Sequence, residues 1–169
     1  LIVANNVFNH TNDASDFFAY SVSISGDTLA VGTQHETSNQ TTITNGTSAS
    51  NNNSNSYSGA VYVYKRTGTS WAQEAYIKAA NNDVSDSFGN SVSISGDTLA
   101  VGATLEDSNQ TTITNGTSAS SDNSSSASGA VYVYKRTGTN WAQEAYIKAA
   151  NNDVSDSFGY AVSISGDTV

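Results

Sequence analysis

Apolar and polar residues alternate in short bursts along this chain, and the bursts recur in a fixed order. In Ser91-Val92-Ser93-Ile94-Ser95 every second residue is apolar, the period of a strand with one buried face. Gly96-Asp97 follows as a tight turn in which glycine supplies a positive φ, and Thr98-Leu99-Ala100-Val101-Gly102 returns as the second arm of a hairpin. Ala130-Val131-Tyr132-Val133-Tyr134-Lys135 is β-branched and aromatic, the composition of a third strand. Arg136-Thr137-Gly138-Thr139 then reverses the chain into a fourth strand, Trp141 to Lys148. Strict alternation there puts Trp141, Gln143, Ala145 and Ile147 on one face. It also pushes some of Tyr62, Tyr64, Trp71 and Tyr76, and of their counterparts Tyr132, Tyr134, Trp141 and Tyr146, outward as candidates for contacts between subunits.

This order of strands is repeated. Thr11 to Ala80 matches Asn81 to Ala150 at a period of 70 residues with 14 differences, and a third copy runs from Asn151 to Val169. The chain divides into an N-terminal strand of a partial blade (1–10), two complete repeats (11–80 and 81–150) and the start of a third (151–169). Self-similarity at this scale marks an array in which each unit buries its faces against its neighbours. Four antiparallel strands per unit describe a propeller blade. The predicted fold is all-β, with tandem four-stranded antiparallel blades of a β-propeller-like repeat, two full copies, and partial blades at both ends.

The pattern resembles the FG-GAP repeats of integrin α-type β-propellers and their bacterial extracellular relatives. The residues that carry the likeness are Ser87-Phe88-Gly89 before the first strand, Leu99-Ala100-Val101-Gly102-Ala103 on the second, and Ser128-Gly129-Ala130-Val131-Tyr132-Val133-Tyr134 on the third. The first copy departs from it, reading Phe18-Ala19 where the others have Phe-Gly, and no proline follows Gly102-Ala103. The resemblance implies an extracellular or cell-surface protein. It also implies an Asp-rich calcium loop between the first two strands, but here that connection has shrunk to Ser25-Gly26-Asp27-Thr28 and Ser95-Gly96-Asp97-Thr98. Calcium needs six to eight oxygens, so Asp27, Asp97 and Asp167 are read as turn residues.

The remaining chemistry is sparse. A second acidic motif pairs Asp83 with Asp86 and Asp153 with Asp156, and calcium is the cofactor those pairs would suit. The alternative is that their side chains cap turns between blades. His10 and His35 have no histidine at the equivalent position of the next copy, and no triad, carboxylate dyad or nucleophile elbow is visible. No enzymatic activity is expected. Fifteen acidic against six basic residues give a net charge of −9, which disfavours nucleic acid. No run is long enough to span a membrane, and the absence of cysteine rules out disulfides. Methionine is absent even at position 1, as in a processed or excised product.

Glu36 to Ser58 and Glu106 to Ser128 form a Ser/Thr/Asn-rich insert, expected to project as a hydrophilic coat, with Thr111 to Thr114 able to form a short edge strand. It carries sequons at Asn39, Asn45, Asn109 and Asn115, with others at Asn9, Asn52 and Asn123. Two blades and two fragments cannot close a ring, since propellers have about four to eight blades. The expectation is therefore a structural component of a fibre or surface assembly that self-associates blade to blade. Leu1, Val3 and Val7 would enter a neighbour's unfinished blade, and Phe158 and Val169 would belong to that open edge. The alternative is a protein- or glycan-binding adhesion module within a larger propeller.

Overall fold

The computed structural model describes residues 15–166 and residue 168. Two antiparallel sheets account for the regular structure. The first contains β1 (Ser21–Ser25), β2 (Thr28–Thr33), β3 (Thr44–Asn45), β4 (Ala60–Thr67) and β5 (Ser70–Ile77) in the spatial order β1-β2-β4-β5-β3. The second repeats that order with β6 (Phe88–Ser95), β7 (Thr98–Ala103), β8 (Ile113–Asn115), β9 (Ala130–Thr137) and β10 (Asn140–Ile147). The four expected strands per copy are present, and each blade carries a fifth. Among the described residues no helix is long and apolar enough to cross a membrane.

The hairpin turns obey their residues. Ser25 pairs with Thr28 across Gly26-Asp27, with Gly26 at φ +56°. Asp27 and Asp97 sit in these turns, where each carboxylate receives an arginine from the third strand, Arg66 and Arg136 respectively.

The fifth strand corrects the picture of a projecting insert. β8 lies along β10, with Ile147 opposite Ile113, and the loop beyond it is tied down by Gln143, whose Nε2 donates to the carbonyls of Gly116 and Ser118. Ala119 packs against the core, and Ser108 and Ser128 are buried. Short backbone-like polar side chains let a low-complexity segment satisfy its own polar groups and return to the sheet edge.

A second correction concerns the fourth strand. Gln143 faces Tyr134 and Ala145 faces Val133, so Glu144 is an extra residue in a β-bulge. A bulge exchanges the faces on either side of it. Trp141 and Gln143 therefore share a face with Tyr146, while Ala145 and Ile147 lie on the opposite one. Glu74 occupies the same bulge in the first blade.

Both faces of each blade are apolar, as Val-Tyr-Val-Tyr requires. Tyr132 and Tyr134 on β9 join Val61, Val63, Ala75 and Ile77 of the first blade in one buried cluster. The valine face of one blade thus meets the tyrosine face of the next. None of Tyr62, Tyr64, Tyr132 or Tyr134 points into solvent; all four are buried, Tyr132 and Tyr134 between the two blades. Aromatic rings also meet across the strands, Tyr132 against Tyr146 at 5.1 Å and Phe88 against Tyr132 at 5.2 Å.

Candidate functional site

The junction between the blades is built from three devices, with a buried ionic network inside each blade beneath them. Innermost, the serines of the alternating first strand reach across: Ser23 Oγ accepts the N–H of Ile94 at 3.1 Å and Ser25 Oγ that of Gly96 at 3.0 Å. Ser93 and Ser95 do the same for Ile164 and Gly166, so the third copy is already seated on the second blade. Small polar residues at every second position leave the partner's backbone close enough to bond.

Next to them, the Phe-Gly pair docks on the preceding blade. Phe88 N–H donates to the carbonyl of Ser58 at 3.0 Å, and Phe158 N–H to that of Ser128 at 2.9 Å. Gly89 holds φ +83°, and a Cβ there would collide with the carbonyl oxygen of Ala60; Gly159 stands in the same relation to Ala130. The first copy places Ala19 at this position with φ +64°. Its upstream face is therefore shaped differently from the two junctions downstream.

At the outer edge lies a polar clasp. The bulge residue Glu74 accepts Trp141 Nε1–H at 3.0 Å and Arg136 Nη1 at 3.1 Å. Asn45, on the fifth strand, accepts Trp141 N–H through Oδ1 at 2.8 Å and donates Nδ2 to its carbonyl at 3.3 Å. Arg136 also stacks over the Trp141 ring at 5.4 Å. Neither the bulge nor the fifth-strand partner is visible in hydrophobic periodicity, although the recurrence of Glu74 at Glu144 and of Asn45 at Asn115 is.

Beneath these contacts runs a buried ionic network that sequence reading missed. Lys78 Nζ meets Glu36 Oε2 at 2.7 Å, and Lys148 meets Glu106 at the same distance, with all four side chains almost fully buried. Glu106 also accepts Asn81 Nδ2 at 2.9 Å and the Tyr146 hydroxyl at 2.8 Å, which satisfies a carboxylate removed from water. Burial pulls the Lys78 amine below the ordinary lysine range, and the Glu36 carboxylate opposes that pull. A glutamate at the start of a polar insert and a lysine just past the end of the fourth strand read as surface charges; only the return of the insert buries them.

The acidic pairs cap turns. Asp86 Oδ2 accepts the N–H of Asp83 at 2.9 Å, and Asp83 Oδ1 accepts that of Val84 at 2.7 Å; Asp153 and Asp156 repeat both bonds. Asp86 is buried, and loss of solvent pushes its carboxyl up to about 8. Among the described residues no group of three or more His, Cys, Asp or Glu side chains is placed to hold a metal ion. Of the sequons, Asn39 and Asn109 are exposed, Asn45 is engaged at the blade junction, and Asn115 is exposed at the equivalent edge. Leu1, Val3, Val7, Val169, His10 and Asp167 lie outside the described residues.

One surface feature belongs to the first blade alone. His35 lies between Phe17 and Tyr57, with ring centroids 4.6 Å away on each side. Phe17 remains 59 % exposed and Tyr57 47 %. Both occupy left-handed backbone, at φ +49° and +57°, where a bulky side chain costs about 1 kcal/mol or more.

The FG-GAP repeat family model matches residues 12–64, 71–118 and 141–169. Comparison with curated proteins returns no match.

Proposed function

Because this chain belongs to the FG-GAP repeat family, whose members are propeller-type repeats, we propose that it is a non-enzymatic extracellular structural component whose blades associate with further blades. The observation that carries this reading is the polarity of the junction: a valine face with Asn/Glu acceptors on one side meets a tyrosine face with Trp/Arg donors on the other. A heterologous contact of this kind leaves each added unit with the same unfilled pair of faces. The second blade continues the series, presenting Glu144 and Asn115 exposed at its outer edge while residues 155–166 line the inner one.

Sedimentation of the purified chain over a range of concentrations, with electron microscopy of the heaviest fraction, tests the proposal. Filaments or head-to-tail oligomers are expected. A monomer at every concentration would overturn it. Ala19→Gly should tighten association, since it removes the Cβ that an incoming blade's carbonyl would meet.

A second reading, an adhesion module, draws on the exposed ring cluster of Phe17, His35 and Tyr57, which the repeat architecture does not require.

A further inference from the structure

The two repeats differ in a spatially organised way. Among described residues, every difference except Ser70 against Asn140 falls in the segments 17–20, 33–37 and 51–57 of the first blade and their counterparts in the second. These segments converge at one end of the blade. Tyr20 N–H donates to the Gly32 carbonyl at 3.0 Å, Asn55 N–H to the Thr37 carbonyl at 2.8 Å, and the three rings meet edge to face across the gap between them. The clasp and ion-pair residues are the same in both copies, and so are the strands except at Thr33 against Ala103 and Ser70 against Asn140; at the junction itself the copies differ at Ala19 against Gly89.

The two ends have diverged toward different chemistry. The first blade carries Phe17, His35 and Tyr57 where the second has Ser87, Leu105 and Ala127. The second carries Asp107 and Asp122 where the first has Thr37 and Asn52. The aromatic and acidic ends are contiguous: Ser87 N–H donates to the Tyr57 carbonyl at 3.0 Å and Ser85 N–H to the Ser56 carbonyl at 2.9 Å. Asn123 then bonds the Asp83 carboxylate and brings Asp122 to the same rim. Asp122 is exposed, and bonds from the Ser124 hydroxyl and N–H keep its carboxyl below the usual range, so it stays anionic.

Exposed rings beside carboxylates suit a ligand that is cationic and carries alkyl stems able to lie on aromatic faces. From this juxtaposition we infer that the rim formed by Phe17, His35 and Tyr57 together with Asp83, Asp107 and Asp122 is a docking surface for a basic polypeptide segment. Lysine or arginine side chains would lie across the rings and place their charges against the acidic side. The net charge of −9 draws such a partner in, with an on-rate that falls as salt rises. This deepens the adhesion reading and is independent of blade assembly.

The repeats supply their own controls, because each substitution needed is one that the other copy already folds with. The probe is a fluorescein-labelled peptide of alternating lysine and glycine, titrated by anisotropy at low and physiological salt. The wild-type chain should bind it, and the triple variant Phe17→Ser, His35→Leu, Tyr57→Ala should bind about tenfold more weakly. Asp107→Thr with Asp122→Asn should weaken binding several-fold and flatten the salt dependence. Equal binding by wild type and triple variant, or equal binding of a glutamate-glycine peptide, would overturn the inference. Ring-dependent binding of a neutral oligosaccharide, with no peptide binding, would overturn it while leaving the adhesion reading in place. Binding of neither would overturn both.

Discussion

Blade one and blade two have almost the same strands, yet they are not equally buried. Val22 and Ile24 are 60 % and 59 % exposed, whereas Val92 and Ile94 at the same positions are 8 % and 5 % exposed. Trp71 is half-buried and its indole N–H has no hydrogen-bond acceptor among the described residues, while Trp141 is buried and donates to Glu74. Among the described residues Arg66 makes one ion pair, with Asp27 of its own turn, whereas Arg136 adds Glu74 to Asp97. Since the segments are identical, the difference comes from position: the second blade has another beneath its tyrosine face. A blade of this sequence is half a contact surface, and its side chains acquire their energetic weight from the neighbour.

The tryptophans give the sharpest way to break that comparison. Trp141→Ala should cost roughly 3–5 kcal/mol, the usual range for emptying a buried aromatic site, and Trp71→Ala no more than about 1–2 kcal/mol, because the ring keeps part of its solvent contact. Urea unfolding of the two variants checks this, and equal losses would mean that position in the array is irrelevant.

Of similar size is the ionic network. Glu106→Ala should destabilise by about 3–5 kcal/mol, since Lys148 would remain buried without its counter-ion. Adding Lys148→Met should recover most of that loss, as measured by thermal unfolding of the single and double variants.

Asp86 gives a smaller effect that depends on pH. Its carboxyl is raised from 3.8 to about 8 in the fold, so between these values the folded state holds a proton that the unfolded state has released. Stability from this group is complete below about pH 4 and is lost as the pH rises through about 8. Asp86→Asn should flatten that decline and, at neutral pH, stabilise the protein by on the order of 4 kcal/mol, at about 1.4 kcal/mol for each pKa unit. Denaturation midpoints across the pH range measure it; an unchanged slope would show that Asp86 is not the responsible group.

The smallest contrast is at the clasp. Asn45→Ala should cost about 1 kcal/mol through its two bonds to Trp141, and Asn115→Ala close to nothing in this chain. Any substantial loss at Asn115 would point to a partner on the second blade's outer edge.

Much of this architecture is legible in the sequence because it is local. Ser-Val-Ser-Ile-Ser has the strand period, Gly26 and Gly96 mark the turns, and near-identity at a spacing of 70 residues reveals the array. The Phe-Gly pair and the turn positions of Asp27 and Asp97 were likewise readable from neighbouring residues.

Tertiary structure alone decided what depends on partners distant in sequence. The bulges at Glu74 and Glu144 shift every later residue to the other face, and a period-2 reading has no signal for an inserted residue. The insert folds back because Gln73 and Gln143 bind its carbonyls, and that return buries Glu36 and Glu106 against lysines 42 residues away. Phe17, His35 and Tyr57 are likewise scattered along the chain. Sequence fixes a strand by its own alternation, but a charge pair or a ring cluster exists only once loops from separate hairpins have been brought to the same end of a blade.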